Sequence, residues 1–414
     1  MQNGRLFLLG ALAVTGLMFG SNPAHGQAAG TLNKAFGKSG TVTTSICTNC
    51  TVSPVTAIQE ANGDFAVVTG VMSYSTFTED FALVRYTSAG KLLGITQTAF
   101  FPDGFNIPVA LAVQPNGDIL VAGSAAPSID GAMQFAMARY TPAGVLDTTF
   151  GTKGLVMSGV NGPFPSPSAL LLQPNGQILV AGFIDGSNNN ASGSTVLVRY
   201  NTNGALDTTF GTAGVVETPS NAAQPGALAE LSNGSYLAVG GATPSVVEFS
   251  PTGVLQSAVT PGTVVATSIS GSSFGIGNPV VFLSSGEYVV AKTEALGHNK
   301  SNVIAERFSQ AGVLDTTFSS PLFTFGSSTQ AEPSALAVQS NGQVLVGGAG
   351  LAQLNANGTL NTAFGTNGSL QFTYAVTGIL PLSTGDFISV AGSPVTNIAT
   401  DPQNSLTLSE YFSN

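Results

Sequence analysis

Three pairs of oppositely charged residues share one spacing: Arg139 with Asp147, Arg199 with Asp207 and Arg307 with Asp315, while Arg85 occupies the arginine place a fourth time. A guanidinium held near a carboxylate can clamp an anionic substrate or form a charge-assisted, bidentate pair. A catalytic group is needed once, beside one substrate. Groups that recur at a fixed place along the chain point instead to architecture, with each Arg bonded to turn carbonyls or to its Asp and each Asp capping its own turn.

The remaining reactive residues are few. Cys47 and Cys50, in CTNC, are the only cysteines. In an oxidising compartment two such near thiols form a structural disulfide, strained and modest in effect because its ring is small. A redox role needs a helix N-terminus or nearby cations to lower a thiol pKa, zinc needs two further ligands, and c-type haem needs His where Thr51 stands. His298, in GHNKSN, is the one histidine beyond the first 26 residues, so a Ser-His-Asp hydrolase would have to use it. Asp103 and Glu332 precede apolar strands and are the acids that could meet on an axis, as a polysaccharide hydrolase or lyase would require. Other loops there offer Asn106, Asn161, Asn221 and Asn278 instead, which makes a polar mouth without catalytic charge. The loop DGSNNNASG from Asp185 carries one carboxylate, too few for a calcium cage. No Trp is present, and Tyr74, Phe77, Phe164 and Tyr374 are the loop aromatics left for a sugar platform.

The elements that position these residues show as an internal repeat. PVALAVQPNGDILVAG from Pro108, PSALLLQPNGQILVAG from Pro167 and PSALAVQSNGQVLVGG from Pro333 are the clearest copies, with others from Pro54, Pro225, Pro279 and Val376. Apolar residues flank a Gly at 63, 117, 176, 234, 286, 342 and 385, which is a hairpin signal. The Pro suits a strand's opening residue, where a missing N–H breaks no ladder bond. A second half follows, as in FAMARYTPAGVLDTTFG from Phe135 and VLVRYNTNGALDTTFG from Val196. Each unit therefore holds about four short strands. SEYFSN at the end of the sequence matches AERFSQ of Ala305 to Gln310, and AGTLNKAFG from Ala29 matches AGVLDTTFS from Ala311. A ring has reason to split one unit between its termini, since that removes exposed sheet edges. The expectation is all-β: a seven-bladed β-propeller over residues 27–414, closed by an N-terminal strand that completes the last blade.

These tandem units resemble the delta-60 repeat, a family of exported bacterial proteins; the resemblance covers residues 29–414 and rests on the QPNG hairpin and the RY…G…LDTTFG segment. It implies a propeller and an exported life, and no settled activity. Leu93, Glu248 and Gln353 depart from the pattern. Arg5, the apolar run Leu6 to Phe19 and the small residues of Ala24-His25-Gly26 read as a cleaved signal peptide over 1–26, which puts the chain in the periplasm or outside the cell. The apolar run is too short for a comfortable span and no later one is longer, so no transmembrane segment is expected in the mature chain. A net charge of -10 with 11 Lys and Arg excludes nucleic acid. The sequence thus points to a monomeric, non-enzymatic scaffold that binds a protein or a glycan, without a cofactor or metal.

Overall fold

The computed structural model describes residues 27–413 except 129, 161–164, 185–192, 219–223, 241–244, 257–258, 260–263, 269–277, 298–299, 319, 326–331, 373–374 and 393–403. The signal segment, Asn161, Asn221, Phe164, Tyr374, His298 and nearly all of the Asp185 loop lie outside the described residues. Among those described, all regular structure is strand.

β1 (Thr41–Ser45) precedes the first repeat. β2 (Cys50–Gln59), β3 (Phe65–Ser73), β4 (Glu79–Tyr86) and β5 (Leu92–Thr98) are followed by β6 (Phe105–Val113), β7 (Ile119–Ala126), β8 (Gln134–Tyr140) and β9 (Leu155–Met157). These eight count as one sheet only because a single parallel bridge joins Glu79 to Phe105. β10 (Ser166–Leu172), β11 (Ile178–Ile184), β12 (Ser194–Tyr200) and β13 (Val215–Glu217) form an antiparallel sheet in chain order. β14 (Pro225–Leu231), β15 (Tyr236–Gly240), β16 (Ser245–Phe249) and β17 (Val264–Thr267) do not: their order is β16-β15-β14-β17. β18 (Val280–Phe282), β19 (Tyr288–Gly297) and β20 (Lys300–Phe308) make three strands, to which Phe323 adds a bridge at Val303. β21 (Ala335–Val338), β22 (Val344–Gly347), β23 (Gly350–Leu354) and β24 (Ser369–Gln371) return to chain order. β25 (Val376–Pro381), β26 (Phe387–Gly392) and β27 (Ser405–Tyr411) take β1 as their outer strand.

The first hairpin of each unit forms because its Gly supplies positive φ, as at Gly117 (φ 88) and Gly176 (φ 84). The preceding Asn accepts the amide two residues on, Asp118 from Asn116 and Gln177 from Asn175, which fixes the turn locally. Pro225 opens β14, and Pro279 and Pro333 stand just before β18 and β21, as the sequence suggests; Pro54, Pro108 and Pro167 do not. Pro54 and Pro108 lie inside β2 and β6, at a β-bulge that skips one residue. Pro167 and Pro225 stand at the same kind of bulge. A bulge leaves a residue unpaired and a first strand has a free edge, so the missing N–H is tolerated mid-strand. Pro279 is out of register: it stands seven residues before its hairpin Gly286, where Pro108 stands nine before Gly117.

Most strands are apolar on both faces, and β7 is buried throughout. Such sheets need a neighbour on each side. Phe81, Val121 and Tyr140 fill the space between the first two units, Phe150, Val180 and Tyr200 the next. Phe36, Val67, Val84, Ile388 and Leu408 pack the last unit against the first. The first strands follow the same order, β2 beside β6, β6 beside β10, β10 beside β14, β14 beside β18, β18 beside β21, β21 beside β25, and β25 beside β2.

Residues 29–42 do on β27 what residues 143–156 do on β8. Asn33 N donates to Glu410 O as Asp147 N does to Arg139 O, and Gly40 N donates to Phe36 O as Gly154 N does to Phe150 O. The pairing corrects the register of the end match by one residue. Tyr411 faces Phe387 as Phe308 faces Tyr288, so Glu410 and not Tyr411 takes the Arg307 place. Both ring pairs stack at 5.4 Å. Thr43 and Thr407 are directly opposed on β1 and β27 with hydroxyls 3.4 Å apart. Cysteines at these two positions are expected to oxidise to a cross-link between the chain's two ends; a non-reducing peptide map in which the two peptides run separately would refute the pairing.

Candidate functional site

The recurrent arginines are built into the junctions between units. Arg199, on β12, donates from Nε to Asp207 Oδ2 at 2.8 Å and from Nη2 to the same oxygen at 2.7 Å. Its Nη1 reaches the next unit, donating to Pro251 O at 2.6 Å and to the Tyr236 hydroxyl at 3.0 Å. The guanidinium also lies 4.4 Å from the Phe210 ring centroid. Arg139 repeats this with Asp147, Thr202 O and Phe150, and Arg307 with Asp315, Ala356 O and Phe318. Asp147, Asp207 and Asp315 each accept from the amide and hydroxyl of the Thr two residues on.

These bonds set the acidities. The Thr317 hydroxyl and amide, then Arg307, hold Asp315 down to about 2. The Thr149 hydroxyl lowers Asp147 against some burial, helped by its amide and Arg139. Burial pushes Asp207 upward, and Thr209 with Arg199 outweighs it, so the net direction is down.

Where one partner differs, the other changes with it. Leu93 stands in the Asp place of the first unit, and Arg85 turns to Glu60, with Nε at 2.7 Å and Nη2 at 2.5 Å from its two oxygens. In the sixth unit Asn361 donates to Gln353 Oε1 at 2.6 Å, Gln353 donates to Gln339, and Gln339 donates to Gly385 O of the following unit. Asn33 donates to Glu410 Oε1 at 2.8 Å, reversing the direction of the Arg–Asp pair. Sequence reasoning missed Glu60, Asn33 and Glu410. The eight-residue offset would have found the last two once the end match was set in the right register.

Cys47 lies between β1 and β2 and Cys50 opens β2, Cα atoms 6.1 Å apart, with their sulfurs facing each other at bonding reach. Asp103 and Glu332 are both exposed. Asn106 is not part of an open mouth: it is fully buried, accepts from the amides of Phe100 and Phe101, and donates to Glu79 O and Asp80 Oδ1. Water cannot reach this side chain, so its bonds are made within the protein, where they close the turn before β6. Beside it Glu79 is buried, and burial, then Asp80, pushes it up to about 7. Its carboxyl covers Gly70, where any side chain would collide with it.

A cavity of about 310 Å³ lies among β2, β14, β18, β21 and β25, the first strands, together with β17. Among the described residues of its wall, Thr56, Thr267, Ser268, Ser334 and Thr377 carry hydroxyls, and the others are apolar or Gly. Among the described residues, no cluster of His, Cys, Asp and Glu could hold a metal ion, and no helix is long and apolar enough to cross a membrane.

A family model described as a β-propeller domain of unknown function (DUF5122) matches residues 114–150, 173–210 and 339–364. Each match begins at the hairpin glutamine and ends at the Phe that follows the eight-residue pair. The fold is a β-propeller. Similar solved structures include a protein of unknown function from Dyadobacter fermentans DSM 18053, with 11% identity, a TM-score of 0.46, and 91% of this chain and 100% of that one covered. The β-propeller domain of the Trilobed protease from Pyrococcus furiosus is similar at 8% identity and TM-score 0.43, over 89% of this chain and 94% of that one. The Hadza microbial sialidase Hz136 is similar at 11% and 0.41, over 87% and 65%. No curated protein matches the chain.

Two predictions rest on the propeller's charged contacts. Arg199→Ala leaves Asp207 buried without its cation and should cost about 3 kcal/mol in urea unfolding, more than Arg139→Ala or Arg307→Ala, whose pairs are more exposed; equal, negligible losses would refute the junction role. Glu79 has a folded pKa above its unfolded value, so its contribution is complete below about pH 4.5 and is lost as pH rises through about 7. Glu79→Gln should therefore flatten a stability decline of roughly 2–3 kcal/mol between pH 5 and 8, read from urea midpoints at each pH; an unchanged slope would count against it.

Proposed function

We propose that this chain is an exported seven-bladed β-propeller of the delta-60 repeat type, closed by its N-terminal strand, that acts as a non-enzymatic scaffold for a protein or glycan partner. One observation carries the functional part: the charged side chains that recur from unit to unit are spent on holding neighbouring units together. Arg139, Arg199 and Arg307 each bind an acid in their own unit and a turn carbonyl in the next. Among the described residues, none that lines the axial cavity is ionisable. A hydrolase or lyase working through axial carboxylates would need acids there, and Asp103 and Glu332 are not among the lining residues.

Closure draws its support from bonds that repeat across the seam. The Tyr86 hydroxyl donates to Thr44 at 2.7 Å as that of Tyr140 donates to Thr98 at 2.8 Å, and Gly37 N donates to Ala89 O as Gly151 N donates to Asn203 O. Gly90 packs on Phe36 as Gly204 packs on Phe150. Export is supported by Arg5, the apolar run and the small residues before Gln27, and an oxidising compartment suits a Cys47–Cys50 disulfide.

The test is binding with product analysis. Residues 27–414 are applied to immobilised glycans and envelope proteins, and retained glycans are sized by mass spectrometry. Saturable retention with every glycan recovered intact is the expected result. Shortened glycan chains would overturn the non-enzymatic reading, and no retention on either class would remove the scaffold reading.

A further inference from the structure

We infer that the axial cavity is a binding site for a single neutral sugar ring, an inference that rests on the scaffold reading and names a small ligand for it. Its volume of about 310 Å³ stands near the lower end of the roughly 300–1,000 Å³ of small-molecule pockets. Its wall combines apolar side chains, Phe282 among them, with a few convergent hydroxyls, the composition that such pockets share.

The fourth unit breaks the symmetry here. In the other units with a described fourth strand, that strand sits on the outer edge of its sheet, but β17 pairs with β14 on the edge that faces the axis. Ser268, just after β17, anchors it: its amide donates to Leu228 O at 2.8 Å and its Oγ accepts from Leu228 N at 2.8 Å. The detour brings Thr267 and Ser268 into the wall, opposite hydroxyls from other units.

Those hydroxyls present both hydrogen-bonding senses. Ser334 Oγ donates to Val376 O at 2.5 Å and Thr377 Oγ1 to Val390 O at 3.3 Å, so each oxygen keeps lone pairs for a ligand donor. Ser268 Oγ already accepts, and its proton remains to donate. A sugar hydroxyl both donates and accepts and can meet either sense, while ring C–H faces suit Phe282 and the aliphatic wall. Charge is selected against, since an ion entering this wall would lose its hydration with no counter-charge among the described lining residues to replace it.

The test is calorimetric titration of residues 27–414 with glucose, galactose, mannose and N-acetylglucosamine, against glucuronate and glucosamine as charged rings of like size. Saturable one-to-one binding of a neutral sugar is expected, with the charged rings at least about tenfold weaker and with Ser268→Ala and Thr377→Val each about 5- to 10-fold weaker. If Ser268→Ala fails to fold, Thr56→Val reads the same loss from a position whose hydroxyl does not anchor β17. No saturation by about 50 mM of any neutral sugar, equal binding of charged rings, or full affinity in the folded variants would each overturn the site. Oligosaccharides immobilised on a surface separate the two readings: retention there with a silent titration removes the axial site and leaves the scaffold, and silence in both, with no protein partner retained, removes both.

Discussion

A sheet that is apolar on both faces is stable only between two neighbours, and the units of this chain meet that condition by packing against one another. The constraint reaches the ends of the sequence. β27 would have a bare edge and the first unit a bare face if residues 29–45 were elsewhere, so Phe36, Val42 and Thr44 are held where Phe150, Val156 and Ser158 are held in the second unit. Burial supplies most of the free energy, because it scales with apolar area and the middle strands of the units, such as β7, β15 and β22, are wholly enclosed. The polar contacts set alignment: an Arg that bonds a carbonyl of the next turn, or a Tyr that bonds a hydroxyl of the previous outer strand, is satisfied at one offset between sheets.

The substitutions within the eight-residue pair follow from that need. A buried guanidinium without an acid is costly, and Arg85, having lost Asp to Leu93, recovers its counter-charge from Glu60 at the hairpin position. Gln114 and Gln173 occupy that position in the next two units, so Glu60 is a compensating change in the first unit. Gln353 and Asn361 drop both charges together, and Glu410 with Asn33 keeps a single hydrogen bond with the donor on the other partner. Charge identity is therefore free to vary, provided that the pair remains satisfied and the junction is bridged.

Much of this was legible in the sequence because the hairpin and the Arg–Asp offset are local signals. Gly117 needs positive φ, Asn116 caps the turn, and Asp147 follows Arg139 at a fixed interval; none of these depends on the rest of the chain. What was not legible depends on distant partners. The mid-strand prolines are allowed by a bulge and a free edge that periodicity does not register. Asn106 looks like a loop residue until the amides of Phe100 and Phe101 and the carbonyl of Glu79 are folded around it. The one-residue error at SEYFSN arose because both Tyr411 and Phe412 are aromatic, and only cross-strand pairing to Phe387 distinguishes them.

The position of β17 has a cause of the same kind. In the second, third and sixth units the segment after the turn delivers a Phe that wedges against the next unit, Phe150 and Phe210 beneath Gly204 and Gly253, and Phe364 beneath Gly30. The fourth unit carries Gln256 where Asp begins that segment and has no Phe in the residues that follow up to Val264. Gly312 of the next unit therefore meets Val246 and the Tyr288 hydroxyl instead. The Gln256 amide still donates to Glu248 O, as Asp147 N does to Arg139 O, and beyond it the free edge of β14 offers a ladder of unpaired amides and carbonyls to the strand that follows. The first unit also lacks the Phe, yet its seven-residue β5 keeps a full ladder on β4, and the stem of Arg85 packs under Gly144. A unit that has lost its wedge can thus hold its outer strand by length or surrender it to the axis, and only the second course changes what lines the cavity.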